Sequence, residues 1–292
     1  MDFTNARVAI VGLGLMGGSL AAALRAHDAC REVVGVARRQ SSLTMATTLR
    51  MIHRGATDLR EGVAGADLVV LCTPVGDILA RLAEIGPWLK PGCVVLDVGS
   101  TKAEICRAME RLPEGVQPIG GHPMCGKESS GLSVAEPSLY LDKVFVLAPL
   151  ERTAPEAVAL AEALVRAVGA RPLYLEPERH DRIVAAISHL PYLLAVSLVL
   201  AAERLAQQED GQQDAMLWAL AASGFGDTSR VAASSIPMMS DILRTNRAAI
   251  LDAARAAQGE LARLIELLQE DDIEALLPLL GAARERRRGM NR

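Results

Sequence analysis

The stretch Val8-Ala9-Ile10-Val11-Gly12-Leu13-Gly14-Leu15-Met16-Gly17-Gly18-Ser19 decides the fold. A short apolar run leads straight into a Gly-x-Gly-x-x-Gly spacing, and apolar residues then recur at steps of three and four from Leu15 to His27. A strand, a tight turn and a helix in this order open a Rossmann-type dinucleotide-binding unit. Gly12 is expected to make the turn, Gly14 to let backbone amides approach a pyrophosphate, and Gly17 to let the helix pack closely on the strand. Leu15 and Met16 fall in the first helical turn and complete the expected phosphate site. Negative phosphates belong there because unpaired N–H groups and the helix dipole favour them.

Outward from this stretch the alternation continues. Further strands are expected at Val33–Ala37, Leu68–Thr73, Val94–Asp97, Val116–Ile119, Val144–Ala148 and Pro172–Leu175. Between them, Asp77–Ile85, Lys102–Arg111 and Pro155–Val168 carry helical spacing. Alternation of this kind implies a mostly parallel sheet covered by helices. After Pro177 the pattern changes to helices only, at Asp181–Gln208, Asp214–Ala222, Met239–Leu268 and Ile273–Arg286. The expected organisation is a dinucleotide-binding domain over residues 1–176 and an all-helical substrate and dimerisation domain over 177–292. These helices are rich in Ala and Leu on more than one face, so a homodimer through this domain is expected.

Composition excludes several classes. Of 292 residues 50% are hydrophobic, which excludes extended disorder. With 31 Lys+Arg against 35 Asp+Glu, and 3% aromatic residues, the chain lacks both the basic surface and the stacking platforms of a nucleic-acid binder. Five cysteines, an odd number with no Cys-x-x-Cys pair, read as reduced thiols of a cytoplasmic protein. Val8–Leu24 has the length of a signal-peptide core, but Asp2 and the spaced glycines argue against targeting. Ile183–Ala202 has the length of a membrane span, yet His189 and Pro191 within it fit a helix buried in a protein core better. The basic tail Arg284–Arg292 reads as a solvated helix end that complements the helix dipole.

Cofactor choice is read after the second strand. An enzyme for NAD carries an acidic residue there for the ribose 2′-hydroxyl; this chain has Ala37-Arg38-Arg39-Gln40-Ser41. A carboxylate would repel the 2′-phosphate of NADP, whereas guanidinium groups grip it with paired hydrogen bonds. Arg38, Arg39 and Ser41, with Thr73 at the end of the next long strand, are therefore the expected NADP contacts.

His122 is the expected catalytic base. It lies in Gly120-Gly121-His122-Pro123-Met124-Cys125-Gly126, just past a predicted strand and at the end where open α/β sheets hold ligands. An imidazole titrating near neutrality suits removal of a proton from an alcohol being oxidised. Ser100, in Asp97-Val98-Gly99-Ser100-Thr101-Lys102, is placed to orient it. His27 and His53 read as surface residues. His180 and His189 are nine apart on one predicted helix and so face opposite ways; with no metal-ligand spacing anywhere, no metal site is expected. Cys125 reads as a small packing residue.

Five ordered motifs together are specific. The glycine-rich start, Asp97–Lys102, Gly121-His122-Pro123-Met124-Cys125-Gly126, Ser188-His189-Leu190-Pro191 and Gly224-Phe225-Gly226-Asp227-Thr228-Ser229-Arg230 resemble the prephenate/arogenate dehydrogenase family of tyrosine biosynthesis. The Ala-Arg-Arg-Gln-Ser stretch is similar to that of NADP-dependent arogenate enzymes of cyanobacteria and plants. The resemblance implies oxidative decarboxylation of a cyclohexadienol: hydride leaves ring C4 for the nicotinamide, the C4 hydroxyl loses its proton, and carbon dioxide departs. Arogenate would give tyrosine; prephenate, the alternative substrate, would give 4-hydroxyphenylpyruvate. It also implies that His122 is the catalytic histidine and that Ser100 contacts it and the substrate hydroxyl. Arg230 would bind a substrate carboxylate, His189 would lie near the substrate and Asn246 would line the cleft. Gly226 stands where many relatives have arginine. No fused mutase or regulatory domain is expected, so tyrosine would inhibit by competition. Two other readings are disfavoured: the β-hydroxyacid dehydrogenases use a lysine in the helical domain, whereas all four lysines here precede residue 177, and a non-catalytic NADP sensor would not need His122, Ser100 and Arg230 together.

Overall fold

The computed structural model describes residues 2–210 and 215–290. The chain forms two compact units, one of Met1–Val184 with Ala233–Asn246, the other of Ala185–Ala232 with Arg247–Arg292.

In the first unit, β1 (Arg7–Val11), α1 (Leu15–Ala26), β2 (Glu32–Val36), α2 (Gln40–Thr48), β3 (Arg54–Ala56) and α3 (Leu59–Val63) come first. Next come β4 (Leu68–Leu71), α4 (Val75–Ile85), β5 (Val94–Asp97), α5 (Ala103–Met109) and β6 (Gln117–Pro123). The chain continues through β7 (Val144–Pro149), α6 (Pro155–Ala167), β8 (Arg171–Tyr174) and α7 (Pro177–Val184). The eight strands form one sheet in the order β3-β2-β1-β4-β5-β6-β7-β8. All neighbouring pairs are parallel except β6 and β7.

Because side chains alternate along a strand, successive residues feed two cores. Val8, Ile10, Val33, Val70 and Leu96 pack with α1 and α6 on one face, while Ala9, Val11, Val34, Val69 and Val95 pack with α4 and α5 on the other. The central strands β1, β2, β4 and β5 therefore read as near-continuous apolar runs.

Several features depart from the sequence expectation, among them the single helix expected over Met239–Leu268, which ends at Thr245 and restarts at Arg247. The three-residue β3 and the polar α2 carry too little apolar periodicity to be read. The strand expected at Val116–Ile119 runs on to Pro123, because β7 pairs with it antiparallel beyond the last β5 partner and sets His122 opposite Val146. His122 thus stands in a hydrogen-bonded strand and not in a loop. Finally, the helix expected over Asp181–Gln208 carries a π-turn at Ala185–His189, so the regular helical spacing that put His180 and His189 on opposite faces does not hold across it.

The second unit contains that π-turn, then α8 (Leu190–Asp210), α9 (Ala215–Leu220) and α10 (Ser223–Ser229). α11 (Ile236–Thr245) belongs to the first unit, and α12 (Arg247–Gln269) and α13 (Ile273–Gly289) return to the second. The predicted helix Asp214–Ala222 and the tail Arg284–Arg292 each begin or end on residues outside the described ones. Pro177–Gln207 is long and apolar enough to cross a membrane by length and composition, and its most apolar window is 22% buried. That corrects the expectation of burial in the chain's own core: Ile187, Leu194, Leu200 and Leu205 are exposed.

Candidate active site

A cleft of about 590 Å³ opens at the carboxyl ends of β1, β2 and β4. Gly12, Leu13, Gly14, Arg38, Arg39, Ser42 and Thr73 are in its wall, with Asp77 and Arg81 of α4. Gly12 takes a φ of +99°, which L side chains rarely adopt, and a Cβ on Gly17 would stand 1.9 Å from the carbonyl oxygen of Gly12. The turn and the close helix packing therefore both require glycine. Gly14 is the N-cap of α1 and has no side chain to cap it, and an added Cβ there would meet nothing within 4 Å. Leu15, Met16 and Gly17 form the helical turn behind the cleft; the Met16 carbonyl accepts a 2.8 Å bond from the buried Tyr140 hydroxyl. Ser42 lines the cleft where Ser41 was expected; Ser41 is exposed one residue earlier.

The lining fits a dinucleotide. Thr73 Oγ1 is buried in the protein without a hydrogen-bond partner, and a buried polar atom in the wall of a cleft marks a place for a ligand contact. Gly12–Gly14 would hold the pyrophosphate and Arg38, Arg39 and Ser42 the adenosine end.

Beyond β5 and β6 lies a buried polar network. The Asp97 carboxylate pairs with the Lys102 ammonium, and both side chains are wholly buried. Asp97 also accepts from the backbone N–H of Gly99 at 2.7 Å and of Gly121 at 2.9 Å. One carboxylate thus ties together the residues beside Ser100 and His122. Ser100 is half-buried in the β5–α5 connection.

His122 Nδ1 lies 2.8 Å from Nε2 of His180, whose Nδ1 lies 2.8 Å from Asp181 Oδ1. His180 was not among the expected site residues: its contact spans 58 positions, and a histidine at a helix start carries no mark of its partner. The adjacent Asp181 was the available signal. The Asp181 carboxylate also accepts from Lys102 N at 2.7 Å and Ala103 N at 2.9 Å, the N-cap and the first residue of α5. Asn246, at the end of α11, donates to the Asp181 carbonyl at 2.7 Å.

His189 is buried in the π-turn and Arg230 is exposed after α10, both in the second unit. The five cysteines are free thiols. Burial pushes Cys125 up to about 11 and Cys106 up to about 12, so neither is a nucleophile near neutrality.

Fold and site define a dinucleotide-binding α/β protein in which a buried carboxylate and histidine back a half-buried histidine at the sheet's ligand end. The prephenate dehydrogenase nucleotide-binding domain matches residues 20–174, and the dimerisation domain of the same enzymes matches residues 176–282. The chain belongs to the prephenate dehydrogenase family. It is 30% identical over 287 residues to prephenate dehydrogenase of Bacillus subtilis, covering 97% of this chain and 76% of that protein. Synechocystis arogenate dehydrogenase has a similar structure, with a TM-score of 0.84, 33% identity and coverage of 96% and 98% of the two chains. The structure of Aquifex aeolicus prephenate dehydrogenase with hydroxyphenyl propionate and NAD+ gives a TM-score of 0.90 at 28% identity, covering 99% and 100%.

Proposed function

We propose that this protein is an NADP-dependent arogenate dehydrogenase that acts as a homodimer in the cytoplasm. The observation that carries the cofactor reading is Arg38 and Arg39 in the wall of the dinucleotide cleft, in a segment from Ala37 to Ser42 without a carboxylate. Two guanidinium groups suit a 2′-phosphate and leave a bare ribose diol without its usual acidic partner. When bound, the nicotinamide supplies the hydride acceptor for ring C4. His122 takes the proton of the C4 hydroxyl, and Ser100 orients that hydroxyl. Arg230 binds a substrate carboxylate, with His189 and Asn246 assigned to the substrate side. Decarboxylation then restores an aromatic ring, which draws the sequence forward.

Two copies associate through the helical residues, a reading supported by the matched dimerisation domain and by the exposed apolar side chains of α8, α12 and α13. Prephenate is the second reading for substrate, favoured by the Bacillus subtilis relative and the Aquifex aeolicus structure.

Initial rates with arogenate or prephenate, each with NADP or NAD, test this directly. The expected rate is confined largely to arogenate with NADP, and His122→Asn lowers it by about 10²–10⁴-fold while cofactor binding persists. A rate mainly with prephenate, or mainly with NAD, overturns the corresponding half. No rate in any combination points instead to a cofactor-binding sensor.

A further inference from the structure

We infer that Asp181 and His180 are positioning residues that set the tautomer of His122 and receive the proton it takes up. The inference deepens the reading of His122 as general base and rests on it. Three observations carry it: the two 2.8 Å contacts in series, the burial of His180 and Asp181, and the donors already held by Asp181.

The direction of the chain follows from its far end. Backbone N–H groups can only donate, and two of them, from Lys102 and Ala103, occupy the two oxygens of Asp181. Asp181 therefore serves this site as an acceptor, and the nitrogen of His180 that faces it, Nδ1, carries a hydrogen. A neutral imidazole has one N–H and one lone pair, so His180 Nε2 is an acceptor. Nδ1 of His122, facing it, must then donate. That choice puts the His122 lone pair on Nε2, the nitrogen that accepts the substrate hydroxyl proton. The rings meet edge-on, at 75° with centroids 5.0 Å apart, a separation that an N–H···N bond between two ring edges accommodates.

The same chain gives the proton a way out. As His122 Nε2 takes the hydroxyl proton, its Nδ1 hydrogen passes to His180 Nε2. The positive charge then sits on His180 beside the Asp181 carboxylate, and His122 regains neutrality with its hydrogen on Nε2. Proton number is conserved, and no further acid or base enters. The other charged groups on the elements packed here do not compete: Asp97 and Lys102 neutralise each other, Glu104 and Arg107 of α5, Glu178, Arg179 and Arg182 of α7 and Arg244 of α11 are exposed to solvent, and Asp241 of α11 accepts from the backbone N–H of Gly76. A carboxylate that only capped α5 would not specify a tautomer.

Histidine-ring ¹⁵N NMR of the full chain, with His122 assigned from the His122→Asn spectrum, tests this without turnover. Above the titration of His122, the expected signal is a hydrogen on Nδ1 and a lone pair on Nε2; Asp181→Asn and His180→Gln should each abolish that preference. In turnover, His180→Gln should lower kcat by about 10- to 100-fold, leave KM within about threefold, and shift the acidic limb of the pH profile, where the base becomes protonated. A wild-type His122 with its hydrogen on Nε2 overturns the inference, as does a His180→Gln enzyme with kcat and pH profile within about twofold of wild type. Should a variant not fold, the wild-type tautomer alone decides. The stated tautomer in a protein that turns over neither substrate would reject the proposed function and keep the positioning chain.

Discussion

The two units of this chain treat apolar residues in opposite ways. In the first, strands such as Leu68–Leu71 and Val94–Asp97 are wholly enclosed by helices on both faces of the sheet. In the second, the buried hydrophobic residues among those described are Ala185, Ala195, Ala206 and Ile250, while Leu261, Ile265 and Leu268 form an exposed stripe at helical spacing along α12. Trp218, Leu220, Leu277 and Leu280 are exposed as well. The sheet unit satisfies its hydrophobic residues by itself, and its fold is set by its own sequence. The helical unit leaves them at the surface, which a single compact body in water does not do at this scale. The difference teaches that the first unit completes its own core, whereas the second leaves apolar surface for another surface to cover.

Three perturbations separate these roles. The largest expected effect lies inside the sheet unit. Asp97→Ala leaves the buried Lys102 ammonium without its partner and should cost about 3–5 kcal/mol of stability in denaturant unfolding. Asp97→Ala with Lys102→Met should regain part of that loss; a single variant as stable as wild type would show that the pair is not what holds the β5 and β6 ends together. Next, Arg38→Ala with Arg39→Ala should raise the apparent KM for NADP by about 10- to 100-fold, a loss of two charge-assisted contacts, and barely change that for NAD. Equal effects on the two cofactors would remove the arginines from cofactor choice. The mildest change to the sheet unit should come from glutamates in the other one. Leu261→Glu with Ile265→Glu should convert a dimer to monomers in sedimentation while dinucleotide affinity stays within about twofold. A dimer that survives both charges would place the partner surface elsewhere than α12.

How far the sequence could be read follows the same division. The parallel sheet was legible because its buried strands are continuous apolar runs, and the glycine-rich turn because Gly12 and Gly17 answer to local geometry. β3 escaped notice since three residues, one of them Gly55, hold no periodic signal. In the sequence, His122 and Ser100 stand out through their glycine-rich neighbours. His180 does not, because its meaning comes from a contact made only after β6 and α7 are brought together. The π-turn was hidden for a different reason: one extra residue in a helical turn changes the phase of everything downstream without altering composition. The exposure of Leu194 and Leu200 was likewise unreadable, since apolar character alone does not say whose core it completes.

His122 is held in a strand paired with β7, between Gly121 opposite Leu147 and Pro123 opposite Phe145. A side chain mounted on a flexible loop would lose backbone freedom each time substrate arrived, at about 1–2 kcal/mol for each residue newly ordered. Here that ordering is complete when the sheet has formed. Loops around the site can change length or composition to suit a different ring substituent, and His122 keeps its place.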